Sequence, residues 1–425
     1  MVDNAFYPMH DSHNSSDSRE PTTLDEVVAA IKSCHESDSA IYPVGGGTGL
    51  AYGTPPAREG VRIDLKHLNR LIDYPSRDMT VTVEAGMTFQ SLADLLKTNQ
   101  QQIPLDVPQP DQATLGGVIA TNVSGARRYG YGTMRDYLIG VQAVDARGDL
   151  FKGGGRVVKN VAGYDFCKLL TGSLGTLGII TQATFKLKPI SRTSILMACP
   201  LADWELADRL LERTVHSETT PTAVEIVCGG AWRETPGLQL LWERTSPAEG
   251  LLILGLEGTD EEVAWMRARI RREWKDAGVP WSEEITDQAP DLWRSLAQFQ
   301  VDDECPLILK ISCVPSAVTT LAQSVLQLDA DCSLQIHAGD GVLVARMSEF
   351  PGAGLAKTVL ASLVPLANQN GGNVVVLSNP SGRDMTHQSV WGGIGTRFDV
   401  MTRVKQQFDP DGRLNPGRFV YLGGL

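Results

Sequence analysis

Apolar and polar positions recur on two periods along this chain, and the switches between them mark out its elements. Over residues 24–34, LDEVVAAIKSC sets its apolar groups on a helical spacing. Thr23 and Glu26 supply the capping-box signal that starts such a helix. AIYPV (40–44) is an apolar run of strand length, and VRIDL (61–65) is another. MTVTVEAGM (79–87) alternates strictly, which predicts a half-buried strand, and TFQSLADLLKTNQ (88–100) returns to the helical period. IGVQAVDA (139–146) and DLFKG (149–153) read as two strands turned back on each other at Arg147-Gly148. GYDFCKLLTGS (163–173) reads as a helix, and LGIITQATFKLKP (177–189) as a long strand ending at Pro189.

After Pro189 glycine clusters thin out and a regular strand–helix rhythm begins. LILKISCV, SAVTTLAQSVLQL, SLQIHAG, GVLVARM, AGLAKTVLASLVPLANQ and NVVVL, spread over 307–377, follow the order β-α-β-β-α-β. That order is the split βαβ of ferredoxin-like folds. Residues 193–257 read as a partial copy of it. The pattern therefore predicts an α+β protein with a flexible arm over 1–20 and a first domain over 21–190. A ferredoxin-like domain over 191–380 follows, then a C-terminal segment over 381–425. In that last segment FDPDGRLNPGRFV is expected to be a fixed, turn-rich loop.

Composition narrows the class. The 425 residues exceed one ordinary core, and 42% hydrophobic with 21% charged residues is a globular balance. A net charge of −12 argues against a sequence-independent grip on nucleic acid. No apolar run reaches bilayer-spanning length, and the first twenty residues are polar without an apolar stretch. A cytoplasmic location without an export signal is the expectation. The seven cysteines are odd in number and contain no C-x-x-C pair, so buried reduced thiols are expected, with no disulfide framework, iron–sulfur cluster or metal site.

The chemistry begins with PVGGGTGLAYG (43–53). Glycine loses more freedom on folding than any other residue, so four in five positions need a reason. Either the backbone turns left-handed there, or something approaches it closely. A strand delivering a bare loop suits phosphate, whose oxygens collect unhindered N–H groups. The loop is neither G-x-G-x-x-G nor a Walker A motif. Two more stretches lack bulk, LGGVIATNVSGARRYGYG (115–132) and NVAGYDFCKLLTGSLGTLGII (160–180). Three such segments in one domain suggest a long flat ligand threaded between backbones.

Together these stretches resemble the FAD-binding domain of the vanillyl-alcohol oxidase, or PCMH-type, flavoproteins, and within them the FAD-binding subunits of glycolate oxidases. The likeness is strongest over 22–190 and distinct again at FDPDGRLNPG. It implies a two-subdomain PCMH-type FAD-binding domain followed by a ferredoxin-like α+β cap domain. Carried over by position, it implies that Pro43, Val44, Gly45, Gly46, Gly47, Thr48 and Gly49 wrap the FAD pyrophosphate. Pro110, Asp111, Leu115, Gly116 and Gly117 would lie along the flavin. Thr121, Asn122, Ser124 and Gly125 would continue around the ring and ribityl chain, with Tyr129, Gly130 and Asp136 nearby. Gly175, Gly178 and Ile180 would pass the adenine end. No histidine occurs in 43–49 or 107–136, where covalent members carry a tethering residue, so noncovalent FAD is implied.

Oxidising a 2-hydroxy acid needs a cation for the carboxylate, a base for the hydroxyl proton and a hydride acceptor. Arg127 and Arg128 interrupt the second bare segment and suit bidentate carboxylate binding. His337 lies in IHAGDGVLV (336–344), similar to the GHxGDGNxH segment of catalytic relatives, with Val344 at the second histidine position. VWGGIG carries Val390 and Trp391 where those relatives have Glu-His. Arg383, Arg397 and His387 are weaker candidates, and His67 reads as a surface residue. The resemblance implies a subunit of a glycolate (2-hydroxy acid) dehydrogenase. Its partners would be a homologous catalytic flavoprotein and an iron–sulfur subunit, which would hold it at the inner membrane face. Two rivals stay open: a self-sufficient dehydrogenase using Arg127 or Arg128 with His337 or Tyr129, and a flavin-free structural subunit.

Overall fold

The computed structural model describes residues 17–155, 163–244, 249–393 and 397–419. The arm up to residue 16, residues 160–162 of the third bare segment and the side chain of Arg397 lie outside the described residues. The chain divides into two compact units. The first comprises Met1–Val123, Thr133–Ile190 and Ile394–Leu425; the second comprises Ser124–Gly132 and Ser191–Gly393. Ser124–Gly132, which the sequence pattern counts with the first domain, thus packs with the second unit. There Gly130 N–H donates to the Thr222 carbonyl at 3.0 Å.

The first unit holds two main sheets. Gly60–Asp64 is the middle strand of a parallel sheet, flanked by Ser18–Arg19 and Ala40–Val44. Helix Leu24–Glu36 buries Val27, Ile31 and Cys34 in the core shared by Ile41, Val61 and Ile63. Its cap differs from the expected box. Thr23 Oγ1 accepts from Glu26 N–H, but the Glu26 carboxylate turns back to Thr22 N–H at 2.6 Å, one residue earlier. The second sheet is antiparallel, in the order Leu71–Asp73, Thr80–Glu84, Ile179–Lys186, Leu138–Val144, Leu150–Gly154. Thr80–Glu84 is buried on both faces instead of one, because Thr82 and Thr184 satisfy each other's hydroxyls across the ladder at 2.9 Å.

The expected helix at 163–173 shrinks to Phe166–Leu170, capped by Asp165. A helix over Arg397–Phe408 precedes the C-terminal loop. That loop is fixed, as its turn residues predict. Lys405, fully buried, donates to Thr176 O at 2.7 Å, Leu414 O at 2.9 Å and the Asp409 carboxylate. Asp409 also accepts from the N–H groups of Arg413 and Leu414, both at 2.8 Å.

The second unit is built on one antiparallel sheet of eight strands. Thr193–Leu201, Ala223–Cys228, Gly250–Gly258 and Glu283–Ile285, with helices Trp204–His216 and Asp260–Asp276, form a complete split βαβ. The copy is whole, not partial. Its last strand is only three residues long and opens with two glutamates, so it lacks the apolar run that announces a strand. Leu307–Ser312, Ser333–His337, Val342–Met347 and Asn373–Ser378 form the second copy. The copies join where Ala223–Cys228 pairs with Ser333–His337. Val224, Ile226, Leu334, Ile336, Leu309 and Leu343 enter the core with the helices. Side chains alternate along a strand, so Glu225, Gln335, His337, Val344 and Lys310 share the opposite face.

Candidate functional site

In the first unit the bare segments converge. A Cβ on Gly45 would collide with the Thr114 side chain, and one on Gly46 with the Gln112 carbonyl. Gly47 turns left-handed at φ +83°. Both reasons for glycine therefore operate in one loop: close approach by the chain itself, then a positive φ. Gly49 faces Thr121, where a Cβ would lie 2.8 Å from its methyl. The third segment docks on the second through Gly172 N–H to Ile119 O at 2.9 Å and Leu174 N–H to Ala120 O at 2.8 Å. Gly175 is left-handed at φ +67° and packs on Pro43, while Asn415 from the C-terminal loop donates to Leu174 O at 2.7 Å.

Two oxygens at this convergence, Asn122 Oδ1 and Ser173 Oγ, are buried without a hydrogen-bond partner. Leaving such an atom unmade costs about 1–3 kcal/mol, so they suit a ligand that brings donors. Tyr52 beside Gly49 has its phenol pushed up to about 12 by burial. Other expected contacts are already committed to the fold. Leu115 N–H donates to Met87 O at 2.9 Å and Gly116 N–H to Ala85 O at 2.7 Å. Asp136 closes a capping box on Thr133 N–H at 2.8 Å. Gly178 lies 3.2 Å, measured from a built Cβ, from the Phe151 ring, and Ile180 pairs with Ala143 inside the sheet. Pro110 accepts Gln90 N–H at 2.8 Å, and Asp111 is exposed.

In the second unit the charged groups gather on the sheet face opposite helices Trp204–His216 and Asp260–Asp276. Arg127 Nε lies 3.0 Å from Glu257 Oε1, and its guanidinium stacks over Trp293 at 4.1 Å. Glu257 also accepts from Tyr131 and Ser194, each at 2.8 Å. Arg127 is thereby matched in charge and anchors its own segment. Arg128 is held more loosely. Its Nη1 donates to Ser124 Oγ at 3.2 Å, and its Nε lies 3.5 Å from Asp340 Oδ1 without a hydrogen-bond partner. Burial raises the Asp340 carboxyl above its usual range, against the pull of Arg128.

His337 Nδ1 lies 2.8 Å from Glu225 Oε1, and Gln335 Nε2 donates to Glu225 Oε2 at 2.9 Å. Burial raises the Glu225 carboxyl despite both partners. Tyr129 lays its ring on Gly339, where any Cβ would collide with it. Val344 stands in register with both Gln335 and Lys310. Lys310 carries no hydrogen bond or ion pair among the described residues, and burial, then Arg128, lowers its amine to about 8. Its one signal in the sequence is a lone lysine inside the apolar run LILKISCV. Among the described residues no group of three or more His, Cys, Asp or Glu is placed to hold a metal ion.

A unit with a parallel and an antiparallel sheet around three bare segments, and a second unit with a doubled split βαβ sheet, define the PCMH-type flavoprotein fold. Residues 19–154 match the FAD binding domain family and residues 394–419 the C-terminal domain of FAD linked oxidases. A D-lactate dehydrogenase of Archaeoglobus fulgidus is 30% identical over 410 residues, covering 94% of this chain and 90% of that one. Glycolate oxidase subunit GlcD of Bacillus subtilis is 26% identical over 423 residues, covering 94% of this chain and 87% of that one. Substrate-bound p-cresol methylhydroxylase is similar in fold, with a TM-score of 0.69 at 18% identity, over 94% of this chain and 88% of that one. The chain belongs to the FAD-linked oxidases. It is an FAD-dependent oxidoreductase, and the orphaned oxygens and bare loops of the first unit fit that cofactor.

Proposed function

We propose that this protein uses noncovalently held FAD to oxidise a small 2-hydroxy acid such as glycolate or D-lactate to the keto acid. It would work as a subunit of a glycolate dehydrogenase-type assembly, with a homologous flavoprotein and an iron–sulfur protein as partners. The names of the full-length relatives support the substrate class, and the word subunit in one of them supports an assembly. Among the described residues no helix is long and apolar enough to cross a membrane, so membrane contact would run through those partners.

The observation that carries the reading is Lys310, a cation with no counterion among the described residues, on the sheet face that also holds Arg128 and His337. When bound, FAD supplies the two-electron acceptor. Lys310 and Arg128 hold the substrate carboxylate, Arg128 through the Nε that lacks a hydrogen bond. His337 takes the hydroxyl proton. In the first unit Gly45 to Gly49 would face the pyrophosphate, and Asn122 Oδ1 and Ser173 Oγ, which lack a hydrogen-bond partner among the described residues, would accept from the cofactor's donors.

The deciding experiment is the visible spectrum of the purified chain before and after glycolate or D-lactate. Bleaching of a bound flavin marks a chain that turns over substrate itself. A flavin that stays oxidised with every 2-hydroxy acid moves the substrate chemistry to the partner. A preparation without flavin, which also fails to take up added FAD, removes the reading.

A further inference from the structure

We propose that Glu225 is a positioning residue that fixes the ring and tautomer of His337, leaving Nε2 as the atom that receives the substrate hydroxyl proton. The inference rests on the proposed 2-hydroxy acid oxidation. It adds to that reading a residue with no sequence signal, because Glu225 and His337 lie 112 positions apart.

The geometry leaves little freedom. Glu225 and His337 are direct cross-strand partners, 0% and 4% exposed. With Glu225 ionised the carboxylate only accepts, so the 2.8 Å contact to its Oε1 places the hydrogen on Nδ1. The lone pair is then on Nε2, which has no hydrogen-bond partner among the described residues. The other carboxylate oxygen is occupied by Gln335 Nε2 at 2.9 Å, so Glu225 cannot rotate away without losing a second bond. Gln335 and His337 sit two apart on one strand and grip the carboxylate side by side. A carboxylate orienting an imidazole in this way selects the tautomer and stabilises the imidazolium formed when the proton arrives.

The surrounding charges are consistent with that step. Asp340 follows His337 in the turn, with its N–H donating to the His337 carbonyl at 3.0 Å. Arg128 faces Asp340, and Lys310 stands one strand beyond Val344. The positive groups fall to the substrate carboxylate, and Glu225 falls to the ring. In the balanced step the O–H proton ends on Nε2 and the C–O bond becomes C=O. The hydride with its electron pair is the share of the FAD that the family binds.

Histidine-selective ¹⁵N labelling reads the tautomer directly, with His337→Asn assigning the signal. The wild-type ring should be the Nδ1–H form at neutral pH, whether or not flavin is reduced, and Glu225→Gln should mix the two tautomers. The same variant should retain FAD and lower kcat on the order of 10²-fold. An Nε2–H wild-type ring overturns the proposal without any variant. An unchanged tautomer in Glu225→Gln, while the wild type still turns over substrate, overturns positioning and leaves the function intact. If no 2-hydroxy acid reduces the wild-type flavin, the substrate chemistry belongs to the partner, and the proton-acceptor role of His337 fails.

Discussion

Single residues carry the divide between structure and chemistry here. Arg127 and Arg128 are adjacent and look equivalent in the sequence, yet the first lies 3.0 Å from Glu257 and stacks on Trp293, while the second lies 3.5 Å from Asp340. Lys310 is a liability to the fold. Desolvation at this half-buried position lowers its amine to about 8, so the charge opposes folding fully below that pH. The opposition fades as pH rises toward the unfolded lysine value of about 10.4. Lys310→Met should therefore raise Tm at pH 7. It should also raise KM for the substrate roughly 10–100-fold, the scale of one hydrogen bond to a charged group. In the wild type KM should climb as pH passes about 8, and a flat profile in steady-state assays would count against the carboxylate role. Asn122 has left-handed angles, φ 51°, and an orphaned oxygen. Asn122→Gly suits those angles and deletes the oxygen, so apo-protein Tm should hold or rise. FAD affinity should fall about tenfold by fluorescence titration, equivalent to about 1.4 kcal/mol. Gly46→Val is a poorer probe, because its side chain would strike Gln112 before any cofactor.

Elements were legible in the sequence wherever one period ran long enough. Helix Leu24–Glu36 and strand Ile179–Lys186 follow from spacing alone, and so does the second split βαβ. Glu283–Ile285 did not, since a short edge strand needs only backbone pairing to a longer neighbour, here Leu196 to Ala198. Helix Arg397–Phe408 hides for another reason. Its inward-facing group is Lys405, a charge, so polarity along the segment misreports burial. Lys405→Met should destabilise the first unit by about 3–5 kcal/mol in chemical denaturation, because Asp409 would stay buried without its cation. The buried site on the sheet face was half legible. His337 and Arg128 stand in motifs, but Glu225 and Lys310 acquire meaning only once strands from different parts of the chain lie side by side.

At the scale of the whole molecule, each unit has its own sheets and core, and the chain crosses from one to the other at 123–124, 132–133, 190–191 and 393–394. The proposed cofactor contacts lie in the first unit and the ionisable cluster in the second. FAD should accordingly slow hydrogen exchange at 45–49, 112–122 and 172–175 while strand Gly250–Gly258 keeps its apo rates. Noncovalent attachment has a direct check: acid precipitation should leave the flavin colour in the supernatant, and colour in the pellet would mean a covalent bond.

The seam between the two split βαβ copies has one more consequence. Glu225 belongs to the first copy, and Gln335 and His337 to the second, so the orientation of the imidazole is a joint property of both halves. Cutting the chain in the 301–306 connection would leave each fragment with half of the arrangement. An imidazole regaining one tautomer when the fragments are mixed would then serve as a built-in reporter, switching on only as the eight-stranded sheet closes in register.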